Sequence, residues 1–323
     1  MDEVLKIIDL HIDFRTRAGI VHAVRGVDLT LHKGEILGVV GESGSGKSVT
    51  AMSVLRLLAP NAVVGSGQII YCGADLLAAS EKELRKIRGG RISMIFQDST
   101  SSLNPLIPVG KQVEEIIREH EPDVSASAAK KRALDLFSRV QISNAEDRYR
   151  DFPHQFSGGM RQRVMIAIAL ACGPDIIIAD EPTTSLDVTI QDQILNLLLN
   201  LHKEMQTSVI FITHDFGIVR GFCTRVAVMY GGMIMEEAAT GELFESPTHP
   251  YTRGLLDSIP RAGGPRNVRF TQIPGAPPNM LKPPPGCPFA PRCGLVDETC
   301  EAGAPTRAMI TETHSSICIR GKI

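Results

Sequence analysis

The segment Gly41-Glu-Ser-Gly-Ser-Gly46-Lys47-Ser48 carries residue types and spacing that can hold a polyphosphate. It follows G-x-x-x-x-G-K-[ST], in which glycines let consecutive backbone N–H groups wrap around phosphate oxygens. Gly41, Ser43, Gly44, Ser45, Gly46 and Val49 would line the wrap, Lys47 would reach the β- and γ-phosphates, and Ser48 would offer its hydroxyl to Mg²⁺. Further along, Ile176-Ile-Ile-Ala-Asp180-Glu181 delivers two carboxylates at the end of an apolar run. Asp180 is suited to hold Mg²⁺ through its water shell, and Glu181 to polarise an attacking water. Binding and hydrolysis of a nucleoside triphosphate is the chemistry that the two segments predict together.

A second kind of chemistry is concentrated near the C-terminus. Of the seven cysteines, Cys287, Cys293, Cys300 and Cys318 fall in the last 37 residues. Their spacing, C-x5-C-x6-C-x17-C, offers four thiolates on short loops, which suit a [4Fe–4S] cluster or Zn²⁺. Free thiols are the remaining reading, and no C-x2-C pair of the zinc-ribbon kind occurs. Cys72, Cys172 and Cys223 sit among apolar residues and read as small core hydrophobes.

These groups need a scaffold, and the hydrophobic patterning predicts an open α/β sheet. Residues 1–40 read as strands ending in Glu35-Ile-Leu-Gly-Val-Val40, a run of the length expected for a strand buried on both faces. The glycine loop follows it and should open a helix over residues 49–58. Residues 97–155 turn to helical spacing, as in Val113-Glu-Glu-Ile-Ile-Arg-Glu, and predict a helical insertion. Residues 160–172 and 187–205 read as helices. Asp175-Ile-Ile-Ile-Ala-Asp180, Ser208-Val-Ile-Phe-Ile-Thr-His214 and Arg225-Val-Ala-Val-Met-Tyr230 read as core strands. Eleven of the 20 prolines lie between Pro260 and Pro305, a composition that builds neither ladders nor helices, so a boundary is placed near residue 260.

Composition narrows the function classes. With 323 residues and 43% of them hydrophobic, a fibrous or disordered chain is excluded. Thirty-four basic against 36 acidic residues, a net charge of −2, leave no global field to hold nucleic acid. No uncharged apolar run approaches the ~18–20 residues that span a bilayer, which predicts a cytosolic chain brought to a membrane only by a partner. In a reducing compartment, clustered cysteines read as metal ligands rather than disulfides.

Phe156-Ser157-Gly158-Gly159-Met160-Arg-Gln-Arg163 resembles the signature motif of the ATP-binding cassette (ABC) ATPases. Gln97, in Ile95-Phe-Gln-Asp98, resembles their Q-loop glutamine, Ser185-Leu-Asp187 their D-loop, and His214 their switch histidine. The resemblance implies an ABC ATPase domain over 1–260, with a RecA-like core, a β-subdomain and a helical subdomain over about 98–172, followed by a Pro/Cys-rich extension over 261–323. It implies that Ser48, Gln97 and Asp180 share Mg²⁺, and that Lys47, Gln97, Glu181 and His214 carry hydrolysis of ATP. His214 would contact the γ-phosphate. Ser157, Gly158 and Gly159 would close over ATP held by a second subunit, with Asp187 in the D-loop. Ser157, before two glycines and a helix, also reads physically as an N-cap beside a second anion-facing helix N-terminus. Two departures stand out. Met160 replaces the usual glutamine, so altered nucleotide contacts are expected, and the aromatic that stacks on adenine is missing near Ala18-Gly19, leaving Phe14, Arg17 or His22 as substitutes.

The stretches from Gln97 to Asn104-Pro105, Pro247-Thr-His-Pro-Tyr-Thr-Arg253 and Gly286-Cys-Pro-Phe-Ala-Pro-Arg-Cys293 resemble the oligopeptide, dipeptide and nickel importer branch. That resemblance implies the ATPase subunit of a di- or oligopeptide importer, peripheral at the cytoplasmic face of the inner membrane. Its implied partners are two membrane-spanning permease subunits, a second ABC ATPase of related but distinct sequence and an extracytoplasmic peptide-binding protein. Nickel or another small solute is the nearer alternative. A soluble ABC ATPase acting on DNA or ribosomes is the remote one, since the chain has no basic tract, tandem cassette or long coiled-coil insertion. Relatives in this branch carry a [4Fe–4S] cluster, which ranks iron–sulfur ahead of zinc for Cys287, Cys293, Cys300 and Cys318.

Overall fold

The computed structural model describes residues 2–98, 102–184, 186–259 and 273–318. Ser185 of the D-loop match and the boundary placed near residue 260 lie outside the described residues. The chain divides into two compact units, Met1–Leu77 with Ile212–Ile323, and Ala78–Phe211.

The first unit opens with β1 (Glu3–Thr16), β2 (Gly19–His32), β3 (Ile36–Val40), α1 (Lys47–Val54), β4 (Ala62–Tyr71) and the short β5 (Ala74–Asp75). The second supplies α2 (Glu81–Ile87), β6 (Ile92–Ile95), α3 (Val109–His120), α4 (Ala126–Arg139), α5 (Ala145–Arg148), α6 (Gly158–Leu170), β7 (Ile176–Asp180) and α7 (Val188–Met205). The division falls within β8 (Ser208–Thr213). The chain then re-enters the first unit with α8 (Phe216–Phe222), β9 (Arg225–Tyr230), β10 (Met233–Ala239), α9 (Thr240–Glu245), α10 (Pro250–Asp257), α11 (Glu298–Glu301), β11 (Ala308–Met309) and β12 (Ser315–Ser316).

In the first unit an antiparallel sheet runs β2-β1-β4-β5. Leu5, Ile7, Leu10 and Ile12 of β1 are its buried residues. Their alternation breaks between Ile7 and Leu10, where the register slips and Asp9 takes a φ of 43°; the bulge returns Leu10 and Ile12 to the core. β3 pairs in parallel with β9, which continues antiparallel through β10 to β12 and β11. Every residue of β3 is buried, as its unbroken apolar run predicts. Arg225 of β9 forms ion pairs with Glu35 and Glu237, and Glu237 also takes Arg307, which ties the C-terminal segment to β10.

In the second unit β6 and β7 pair in parallel, with β8 beside β7. The helical insertion predicted over 97–155 is present as α3, α4 and α5. Val109, Val113 and Ile117 of α3, and Ala129, Ala133, Leu136 and Phe137 of α4, form the buried apolar faces of these two amphipathic helices. Ser125 caps α4 by accepting from the Ala128 N–H at 3.2 Å. One prediction runs long: α1 stops at Val54 rather than continuing to residue 58. Arg56 takes the left-handed φ of 50° and Pro60 follows, so the backbone turns out of the helix. Among the described residues no helix is long and apolar enough to cross a membrane.

Candidate functional site

In the first unit, residues 41–46 join β3 to α1 as a tight loop. Gly41, Gly44 and Gly46 hold φ values of 153°, 77° and 105°, which favour glycine. Space enforces the choice as well, because a Cβ on Gly41 would lie 2.0 Å from the Met229 carbonyl oxygen and one on Gly46 2.6 Å from that of Ala23. Gly41→Ala must therefore displace the loop or β9. Strain of this kind costs about 1–3 kcal/mol, so nucleotide binding is expected to weaken by about tenfold or more. An unchanged dissociation constant in a fluorescent-nucleotide titration would contradict that.

Gly46 is the N-cap of α1, with no side-chain cap bond and no acidic residue in the first turn. The positive end of the helix dipole is thus left without an anionic neighbour of its own, as an anion site requires. Lys47 is buried, and its Nζ donates to the Gly41 carbonyl (2.8 Å), the Glu42 carbonyl (2.9 Å) and Ser45 Oγ (3.3 Å). Ser45 is buried, Ser43 and Gly44 are exposed, and Ser48 and Val49 are half-buried. His214 is exposed directly after β8, ahead of Asp215, which caps α8 by accepting from the Gly217 N–H at 2.7 Å. At the β1–β2 hairpin, Arg17 is exposed and Phe14 half-buried, while His22 Nδ1 lies 2.8 Å from Asp13 Oδ1.

In the second unit the parallel register sets Ile95 against Ala179. Gln97 and Glu181 each lie two residues past that pair, so they leave the sheet at the same end. Gln97 Nε2 donates to Glu181 Oε2 at 3.0 Å, and Thr184 Oγ1 donates to the same oxygen at 2.9 Å. Asp180 is buried at the end of β7, and Glu181 turns out of the strand with a φ of 45°. Thr184 was not singled out in the sequence; its only signal is a hydroxyl residue three positions after the second acid. Ser157 caps α6, its Oγ accepting from the Met160 N–H at 3.3 Å, and Asp187 caps α7, accepting from the Ile190 N–H at 3.0 Å. A Cβ on Gly159 would lie 2.6 Å from Ile190 Cγ2, so the start of α6 can approach α7 only as glycine.

Cys287, Cys293, Cys300 and Cys318 line one cavity of about 390 Å³, together with His249 and Ile317. The Cys287 N–H donates to the Cys300 carbonyl at 2.8 Å, and the Leu295 N–H to Cys293 Sγ at 3.4 Å. Burial, with a smaller contribution from the neighbouring Cys300 and Cys293 thiols, pushes the Cys287 thiol up to about 11; burial also raises Cys293. His249 is buried, which lowers its imidazole to about 4 and keeps it neutral. Its Nδ1 accepts from the Tyr251 N–H at 3.0 Å, and its Nε2 is buried without a hydrogen-bond partner. Among the described residues no group of three or more His, Cys, Asp or Glu side chains could hold a metal ion. The expectation of a metal centre therefore finds no support in this arrangement. Zn²⁺ in particular needs its sulfurs at about 2.3 Å from one point, which these thiols do not meet. Of the scattered cysteines, Cys223 is in the core as expected and Cys172 is half-buried. Cys72 is exposed, because it sits at a φ of 48° in the turn between β4 and β5 rather than in either strand.

Residues 24–184 match a family model described as ABC transporter, and residues 235–300 one described as oligopeptide/dipeptide transporter, C-terminal region. The dipeptide transport ATP-binding protein DppD of Bacillus subtilis (strain 168) is 48% identical over 319 residues, which is 98% of this chain and 95% of that protein. The oligopeptide transport ATP-binding protein OppD of Salmonella typhimurium is 46% identical over 305 residues, 94% of this chain and 90% of that one. Among solved structures, the dimeric structure of MJ0796, a bacterial ABC transporter cassette, covers 73% of this chain and 98% of its own, with a TM-score of 0.66 and 30% identity.

Proposed function

The chain belongs to the ABC transporter family of ATPases, and we propose that it drives the import of dipeptides or oligopeptides across the cytoplasmic membrane. The observation that carries the substrate class is the match of residues 235–300 to the oligopeptide/dipeptide transporter C-terminal region, joined to near full-length similarity with peptide transport ATP-binding proteins. In this reading the chain sits on the cytoplasmic face of the membrane, docked to two permease subunits and paired with a second, related ABC ATPase. An extracytoplasmic binding protein delivers the peptide. Substrate choice then lies in those partners.

The residue roles that the ABC resemblance implies are proposed with it. Loop 41–46 and the N-terminus of α1 bind the phosphates through backbone N–H groups, and Lys47 exchanges its loop oxygens for the β- and γ-phosphates. By the family resemblance Ser48, Asp180 and Gln97 would hold Mg²⁺, which when bound would neutralise charge on the phosphate oxygens. Glu181 accepts the proton of the attacking water, its carboxylate held by Gln97 and Thr184. His214 stabilises the γ-phosphate. Ser157, Gly158 and Gly159 present the start of α6, which has no acidic residue in its first turn, to ATP on the paired ATPase, with Asp187 alongside.

We further propose that Cys287, Cys293, Cys300 and Cys318 ligate a [4Fe–4S] cluster. This reading rests on the resemblance of the cysteine-bearing segment to the peptide-importer branch and on the one cavity that the four thiols line. Anaerobically purified protein is expected to contain stoichiometric iron and acid-labile sulfide, both lost in Cys293→Ser. Wild-type protein without iron would overturn the cluster. The importer reading is tested by isolating the chain from its native membrane in mild detergent. Co-purification with two permease subunits is the expected result, and a chain recovered only on ribosomes or DNA would refute it.

A further inference from the structure

The phosphate loop contains an acid, Glu42, at a position where a negative charge opposes binding of a polyanion. That carboxylate is paired from the C-terminal extension. Arg292 ends a 3₁₀ turn, Ala290–Arg292, immediately before Cys293, and its side chain is 6% exposed. Its Nη1 donates to both Glu42 carboxylate oxygens (3.1 and 2.9 Å) and to Tyr230 Oη (3.0 Å). Nε donates to the Pro274 carbonyl at 2.8 Å and Nη2 to that of Ile273 at 3.1 Å. The guanidinium also lies over the rings of Tyr230 and Phe289, at 5.7 and 5.9 Å. A second tie enters from α10, where Tyr251 Oη accepts the Glu42 N–H at 2.9 Å. Tyr230, Tyr251 and Phe289 pack together with ring centroids 4.5–5.5 Å apart, which fixes the base of the whole arrangement. Glu42 is also the residue whose carbonyl accepts from Lys47 Nζ. A continuous path of contacts thus runs from the cysteine-bearing extension through Arg292 and Glu42 to the phosphate-binding lysine.

We propose that Arg292 is a positioning residue of the nucleotide site: it neutralises Glu42 and clamps the phosphate loop in its binding shape before ATP arrives. A guanidinium suits this task because its planar fork serves the carboxylate, the Tyr230 hydroxyl and two backbone carbonyls at once, more acceptor atoms than the three N–H groups of an ammonium can meet. Leaving Glu42 half-buried and unpaired would be costly and would place its charge beside the incoming triphosphate. The extension is by this account a working part of the ATP site.

Arg292→Ala in the full chain is expected to weaken ATP binding by about tenfold or more, with turnover at saturating ATP within about twofold of wild type, because the groups that act on the γ-phosphate are untouched. Combining it with Glu42→Gln removes the unpaired charge and is expected to restore most of the affinity. A merely structural role of Arg292, anchoring the extension to Pro274 and Ile273, predicts no such rescue. An unaltered dissociation constant in Arg292→Ala, or a double variant as weak as Arg292→Ala, overturns the proposal. If Arg292→Ala fails to fold, Arg292→Lys carries the test: it keeps the charge and loses the fork, and unchanged ATP affinity there overturns the proposal as well. The inference rests on ATP binding at this loop. Wild-type chain that binds no ATP would sink that reading, whereas wild-type binding with indifferent Arg292 variants sinks only the clamp.

Discussion

Glu181→Gln is expected to lower ATP hydrolysis by about 10²–10⁴-fold while ATP binding stays intact, the range associated with loss of a positioned general base. The substitution is close to isosteric. The side-chain oxygen that accepts from Gln97 Nε2 and Thr184 Oγ1 has a counterpart in the amide, so the local geometry survives and only the proton acceptor is removed. With hydrolysis blocked, ATP held between two ATPase subunits should persist. A stable ATP-dependent dimer is therefore expected by size-exclusion chromatography with light scattering. Wild-type turnover in this variant would mean that Glu181 is not the base.

Lys47→Ala is expected to fail one step earlier. The buried Nζ donates to three oxygens of its own loop, so the ammonium is already held in the concavity that the phosphates enter. Deleting it leaves those oxygens without that donor and removes the positive charge for the β- and γ-phosphates. A loss of about 3 kcal/mol or more is expected, equivalent to at least about 100-fold weaker ATP binding in a fluorescent-nucleotide titration. The two variants separate the roles. Glu181→Gln binds without hydrolysing, and Lys47→Ala does neither; equal ATP affinity in Lys47→Ala and wild type would place the phosphates elsewhere.

The phosphate loop was legible in the sequence because a local pattern needs only its local context, a buried strand before it and a helix after it. The runs that became β3, β7, β8 and β9 were legible for the same reason, since strands covered on both faces are apolar through their middles, with polar residues only at the ends. Contacts between distant residues were not. Gln97 and Glu181 meet through the parallel register of β6 and β7, and neither residue's neighbourhood encodes that register. Arg292 lies 250 positions from Glu42, and within its motif Glu42 occupies a place open to any residue. The cysteine spacing showed four thiols on short loops but not how closely they gather, and among the described residues they form no group that could hold a metal ion. Cys72 and the early end of α1 were misread because single residues in the left-handed backbone region leave no trace in hydrophobic periodicity.

Solute-stimulated ATP hydrolysis in the assembled transporter decides whether this chain powers peptide import. The chain, its paired ATPase and the two permease subunits are reconstituted in lipid, and hydrolysis is followed as binding protein loaded with di- or oligopeptide, or with nickel, is added. Peptide-loaded binding protein is expected to raise hydrolysis several-fold over unloaded protein, with the increase abolished by Glu181→Gln. Stimulation by nickel and not by peptide would contradict the peptide importer while leaving the ATPase in place.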